Sequence, residues 1–134
     1  MSGVRWDGGV AIVDDERSIV QIYSKILETM GIPVAFVAFD GEDAVNKFKE
    51  CKKKPQVVLM DYRMPVMNGI QACLSMLGID PLVKIIFISA DGSVRDEAMK
   101  AGAMAFIQKP ASLKDIIVEV VNVAKSPPPH QHET

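Results

Sequence analysis

Apolar residues along this chain fall into two patterns: short unbroken blocks, and stretches in which they recur every three or four positions. Unbroken blocks are how parallel strands covered on both faces read, and the spaced stretches are how amphipathic helices read. The first block, Val10-Ala11-Ile12-Val13, predicts a strand, and Ile19, Ile22, Tyr23, Ile26, Leu27 and Met30 predict a helix closed by Gly31 and Pro33. Pro33 to Ala38 predicts a second strand, and Asp40-Gly41 turns into a helix carrying Ala44, Val45 and Phe48 that ends in Lys52-Lys53-Lys54-Pro55. A third strand finishes at Asp61, followed by the loop Tyr62 to Gly69 and a helical segment from about Ile70 to Leu77, closed by Gly78 and Pro81. Lys84 to Ser89 is a fourth strand, and Asp91-Gly92-Ser93 supplies capping side chains for a short helix from Val94 to Ala101, stopped by Gly102. Ala105 to Gln108 is the fifth strand. Leu113, Ile116, Ile117, Val120, Val121 and Ala124 form one face of a closing helix with Ser112 as its cap and Asp115 in its first turn.

Strands alternating with helices imply an α/β fold with a parallel sheet, because parallel neighbours need a crossover and right-handed crossovers place helices on both faces. The strand order expected for a five-stranded doubly wound sheet is 2-1-3-4-5, which sets strands one and three side by side. Ligands of such sheets bind beyond the carboxyl ends of the strands. Those ends carry Asp14-Asp15, Asp61, Ser89 and Lys109. Residues 1–8 read as an N-terminal segment, 9–125 as one domain and 126–134 as a proline-rich, extended or disordered tail that the helix cannot enter.

Length and composition narrow the function classes. A chain of 134 residues is the size of one domain with one core. A net charge of −2 argues against a direct nucleic-acid binder or an anionic-membrane binder. No stretch is long and apolar enough for a membrane span, and residues 1–9 lack the apolar core of a signal peptide. Cys51 and Cys73 have no metal-type spacing, and both read as helical, so a disulfide framework is not expected. The expectation is a soluble protein of the cytoplasm.

Asp14, Asp15 and Asp61 brought together would repel one another, raising a carboxyl pKa or recruiting a cation. An all-oxygen set suits Mg2+ or Mn2+ and leaves room for a phosphoryl group. Asp61, alone at its strand end, is the candidate nucleophile for an acyl phosphate, while the adjacent Asp14 and Asp15 suit the metal. Ser89 is placed to donate to a phosphoryl oxygen and Lys109 to pair with another. Nothing in the chain looks like a general base. Taken singly the same residues have plainer roles: Asp14-Asp15 a helix cap, Lys52 to Lys54 a solvated helix end, the methionines gap-fillers, and His130 and His132 an adventitious metal pair on the tail.

The acidic pair Asp14-Asp15, Met60-Asp61-Tyr62-Arg63-Met64-Pro65 followed by Asn68-Gly69, Ile88-Ser89-Ala90, and Gly102-Ala103 leading to Phe106 and Lys109-Pro110 occur in order over about residues 9 to 125. In this the chain resembles the receiver domain of two-component response regulators, closest in layout to small stand-alone chemotaxis-type regulators. The resemblance implies a flavodoxin-like receiver fold in which Asp61 accepts phosphate from a histidine kinase or phosphotransfer protein. It implies that Asp14, Asp15, Asp61 and the backbone carbonyl of Arg63 hold Mg2+, that Lys109 contacts the phosphoryl group, and that the Lys109-Pro110 bond is cis. Ser89 and Phe106 would form the switch, and the signal would leave by the face of the fourth helix, fifth strand and fifth helix toward a downstream protein. The domain would be a monomer or a phosphorylation-dependent dimer.

Two positions depart from common family residues. Ser89 keeps the hydroxyl of threonine without its methyl, and Phe106 keeps the ring of tyrosine without its hydroxyl. Arg63 and Asp91 would flank the route of water to the acyl phosphate, Arg63 shielding it or pairing with Asp91. The expected activity is self-phosphorylation and autodephosphorylation without turnover of an external product. A small acyl-phosphate phosphatase is the enzymatic alternative, for which a second acid and a covering insertion would be wanted. An inert interaction domain is the structural one. With nine residues after Lys125, output is expected through a partner, unless the chain is a fragment of a longer regulator.

Overall fold

Val10–Val13 (β1) and Val57–Asp61 (β3) lie at the centre of the structure, a computed structural model that describes residues 3–64 and 66–128. Every residue of β1, and β3 up to Met60, is at most 1 % exposed. Val34–Ala38 (β2), Lys84–Ser89 (β4) and Ala105–Gln108 (β5) complete a parallel sheet in the order β2-β1-β3-β4-β5, the order expected for a five-stranded doubly wound sheet. Its helices are Arg17–Thr29 (α1), Gly41–Glu50 (α2), Gly69–Ile79 (α3), Arg95–Lys100 (α4) and Leu113–Lys125 (α5).

Alternate strand residues point to opposite faces, so each block serves two cores. Ala11, Val13, Val58, Met60, Ile85 and Phe87 pack with Phe48 of α2, Ile70 and Met76 of α3 and Ala98 of α4. Val10, Ile12, Leu59, Ile86 and Ile88 pack with Val20, Tyr23 and Leu27 of α1 and Ile116, Val120 and Val123 of α5.

Local chemistry sets the element ends. Asp40 caps α2 by accepting from the Asp43 N–H, Ser112 caps α5 by accepting from the Asp115 N–H, and Asn68 and Gln71 form a reciprocal capping box on α3. Lys84 Nζ donates to the carbonyls of Ala124 and Ser126, tying β4 to the end of α5.

Several expectations are corrected. The stripe expected on α1 included Ile22 and Met30, yet these are 47 % and 39 % exposed while Val20 is buried, because the inward line of the helix runs through positions 20, 23 and 27. The short helix before the fifth strand opens with a 3-10 turn, Gly92–Val94, tightened by the Asp91 side chain accepting from the Ser93 N–H. Cys51 follows α2 instead of lying within it, and both cysteines are free. Lys54 is not merely solvated: its Nζ turns back to donate to the carbonyls of Phe48, Lys49 and Cys51, satisfying the end of α2. Most of the tail, with His130 and His132, and Pro65 of the Met-Pro turn lie outside the described residues.

Val66, in the loop from β3 to α3, has φ +72° and is 80 % exposed. A β-branched residue in the left-handed region is strained, and no packing offsets that strain here. Val66→Asn is therefore expected to stabilise the protein by about 1 kcal/mol, read as a higher urea midpoint at unchanged slope.

Candidate functional site

The sheet register assembles the site. Val13 lies beside Met60 across β1 and β3, so the next residues, Asp14 and Asp61, emerge together from the carboxyl ends of adjacent buried strands. Asp61 in turn lies beside Ile88, one residue before Ser89, and Ser89 lies beside Gln108, one residue before Lys109. The Lys109 N–H donates to the Ser89 carbonyl at 2.8 Å, and the Lys109-Pro110 bond is cis.

Carboxylate oxygens of Asp14, Asp15 and Asp61 lie within 4.8 Å of one another. Asp14 is buried and accepts from the Glu16 N–H at 2.9 Å, whereas Asp15 is exposed. The Lys109 ammonium stands 3.5 Å from Asp14 Oδ2 and 4.0 Å from Asp61 Oδ1. Burial, and next the neighbouring Asp14 carboxylate, push the Asp61 pKa up to about 7, with Lys109 offsetting part of the rise. Burial raises Asp14 as well, against the Glu16 N–H and Lys109. Burial works to lower the Lys109 pKa, but Asp14 and Asp61 outweigh it and the net shift is upward. One ammonium thus leaves a net negative cluster of hard oxygen donors, which fits a divalent cation of the magnesium type.

The loops above complete an open cleft of about 450 Å³ lined by Asp15, Asp61, Arg63, Ser89, Asp91 and Lys109. Ser89 is buried, and its Oγ accepts from the Asp91 N–H at 3.1 Å. The Asp91 carboxylate accepts from Arg63 Nη2 at 2.6 Å and from the Ser93 N–H and hydroxyl, so a bridge crosses the cleft from the loop after β3 to the loop after β4. Ser93, and then Arg63, hold Asp91 below the usual carboxylate range.

Asp14, Asp15, Asp61, Ser89 and Lys109 are therefore brought together, and Arg63 reaches over them. Phe106 is not at the cleft: its ring is buried in the core beneath α4, with the Arg95 guanidinium 5.9 Å from its centroid. Two residues named in the sequence reading contribute to the site in ways it did not give. A Cβ on Gly69 would meet the Asp61 carbonyl at 2.5 Å and the Phe87 ring at 2.6 Å, so only glycine lets α3 begin this close to Asp61; its place after a capping asparagine was the available signal. Tyr23, read as plain core, has a pKa raised by burial and shares the charged field of Lys109, Asp14 and Asp61, which helical period alone could not reveal.

Residues 10–121 match the family model of the response regulator receiver domain. The chain is 42 % identical over 118 residues to the chemotaxis protein CheY of Thermotoga maritima, covering 87 % of this chain and 97 % of that one. It is 38 % identical over 115 residues to the CheY of Bacillus subtilis, covering 84 % and 93 %. Among solved structures, the CheX-CheY-BeF3-Mg2+ complex of Borrelia burgdorferi superposes with a TM-score of 0.83 at 29 % identity, covering 93 % of both chains.

Because the Asp61 pKa is raised above its unfolded value near 3.8, ionising it opposes folding. The penalty is absent below that value and complete once the pH has risen through about 7. Without divalent ions, Asp61→Asn is expected to be more stable than the parent at pH 8 by on the order of a few kcal/mol, the gain shrinking toward zero near pH 4. Urea melts across that range check both the sign and the window.

Proposed function

This chain belongs to the response regulator receiver domain family, and we propose from that premise that Asp61 accepts a phosphoryl group from a phosphohistidine on a histidine kinase or phosphotransfer protein. The observation that carries the proposal is the convergence of Asp14, Asp15, Asp61 and Lys109 at one strand edge. An Asp61 oxygen attacks phosphorus, the P–N bond to the donor imidazole breaks in line, and an acyl phosphate forms. Lys109 turns from the carboxylates to a phosphoryl oxygen, and the Ser89 hydroxyl, which accepts from the Asp91 N–H, keeps its proton to donate to another.

Asp14, Asp15 and Asp61, with the backbone carbonyl of Arg63, would hold Mg2+, or Mn2+ on the same donors, and the ion would supply the positive charge that keeps Asp61 ionised and orients the phosphoryl oxygens. The relative from Borrelia burgdorferi, solved with BeF3 and Mg2+, supports this reading.

Movement of Ser89 toward the phosphoryl group frees space for Phe106 to turn, and the change leaves by the α4-β5-α5 face to a downstream protein. The reaction consumes the chain's own carboxylate and turns over no external product. The receiver domain spans residues 9–125, ahead of a proline-rich tail at 126–134, and it works in the cytoplasm as a monomer or a phosphorylation-dependent dimer, without direct contact to nucleic acid or membrane.

Incubation with acetyl phosphate and Mg2+ is expected to give at most one hydroxylamine-sensitive phosphoryl group per chain, lost in Asp61→Asn and on chelation of the metal; absence of label, or release of phosphate faster than the label's own decay, would contradict the proposal. The Arg63-Asp91 bridge covers the approach of water to the acyl phosphate. Arg63→Ala is accordingly expected to shorten the phosphate half-life about threefold, which corresponds to less than 1 kcal/mol in the barrier; an unchanged decay in a timed label-loss assay would contradict that role.

A further inference from the structure

Tyr23 is 7 % exposed and lies on the line of α1 that faces the sheet. A helical side chain leans toward the amino end of its helix, and α1 starts just after Asp14-Asp15, so the phenol rises toward the acid cluster. The acids lean toward it in turn. Asp14 continues the side of β1 that carries Val10 and Ile12, and Asp61 the side of β3 that carries Val57 and Leu59, both against α1 and α5. Tyr23, Asp14 and Asp61 line one narrow internal space with Ile12, Leu59 and Ile88, too tight to admit a water molecule. A buried tyrosine ordinarily finds a partner for its hydroxyl, yet among the described residues this one makes no hydrogen bond. No polar side-chain atom there is both sealed from solvent and unpartnered, so the hydroxyl emerges at the rim, within reach of the charges of Lys109, Asp14, Asp61 and Glu16.

We propose that Tyr23 is a positioning residue of this site: when Lys109 turns from the carboxylates to a phosphoryl oxygen, the Tyr23 hydroxyl donates to Oδ2 of Asp14 in its place and holds that carboxylate. The inference rests on the phosphoacceptor reading of Asp61. Asp14 Oδ1 already accepts from the Glu16 N–H, whereas Oδ2 faces Lys109 at 3.5 Å, so departure of the ammonium strips a buried carboxylate oxygen of its partner. Leaving such an oxygen bare is costly, and a donor in the same enclosed space removes the cost without a bridging water. A neutral donor suits the place, since a second fixed cation would repel the ion that the carboxylates are there to hold. Phenylalanine would fill the same volume, so packing accounts for the ring and leaves the hydroxyl to this role.

Binding of BeF3, a stand-in for the phosphoryl group, to the full chain at saturating Mg2+ tests it, read by fluorine-19 NMR of the bound species. Tyr23→Phe is expected to bind BeF3 about tenfold more weakly than the parent, with its affinity for Mg2+ alone, read by calorimetry, unchanged. Carbon-13 at Cζ of the two tyrosines, Tyr23 and Tyr62, gives a second readout, with Tyr23→Phe identifying which signal is which. The Tyr23 signal is expected to move downfield when BeF3 and Mg2+ are added together and to stay in place with Mg2+ alone. That signal is read on the parent chain, so a folding defect in the variant leaves this arm standing. A parent that takes up no BeF3 overturns the phosphoacceptor reading and this inference with it. Equal BeF3 affinity in parent and Tyr23→Phe, an equal loss of affinity for Mg2+ alone, or a Tyr23 signal indifferent to BeF3 overturns this inference and leaves that reading in place.

Discussion

Three carboxylates gathered at the ends of two adjacent buried strands, faced by a single ammonium, form the constraint around which the rest of this structure is arranged. Left to themselves the acids would separate into water. They stay together because β1 and β3 cannot shift: their side chains are buried on both faces, and slipping the register by one residue would exchange the contents of the two cores. Hydrophobic packing below thus maintains an electrostatic tension above. That tension pushes the Asp61 pKa up to about 7, and a bound cation would relieve it.

The surrounding loops extend this arrangement outward. Gly69 lets α3 start against the Asp61 backbone, and Asn68 caps that helix, so the loop that follows the proposed phosphoacceptor is fastened at its far end. On the opposite side Ser89, Asp91 and Arg63 form a connected chain from the floor of the cleft to its mouth. Ser89 on β4 and Phe106 on β5 sit on neighbouring strands, with Phe106 paired to Phe87, two residues before the serine.

Much of this was legible along the chain because it depends on strand ends. An apolar block followed by a polar residue marks where a buried strand reaches solvent, and four such ends placed Asp14, Asp61, Ser89 and Lys109 on one rim. The end of α1 was legible from Gly31 and Pro33, and Tyr23 and Leu27 of its buried face from their spacing, but Val20 was missed and Ile22 and Met30 were included. Ile22 and Met30 compete with Val20 for the inward direction, and only the position of the sheet decides between them, while Ile19 and Ile26 pack partly buried at the edge of the core. The role of Lys54 was hidden within a basic run, since its value lies in three carbonyls that exist only once α2 has ended. The pairing of Arg63 with Asp91 could be named as one option. Its realisation depends on two loops whose separation no local pattern encodes.

The most direct test of this account is a carbon-13 NMR titration of the Asp61 carboxyl in the metal-free protein, repeated with saturating Mg2+. Carboxylates pressed together as described predict an inflection near pH 7 that falls by more than a unit when the cation is present. An inflection near pH 4 that ignores Mg2+ would mean that the three acids do not share a site.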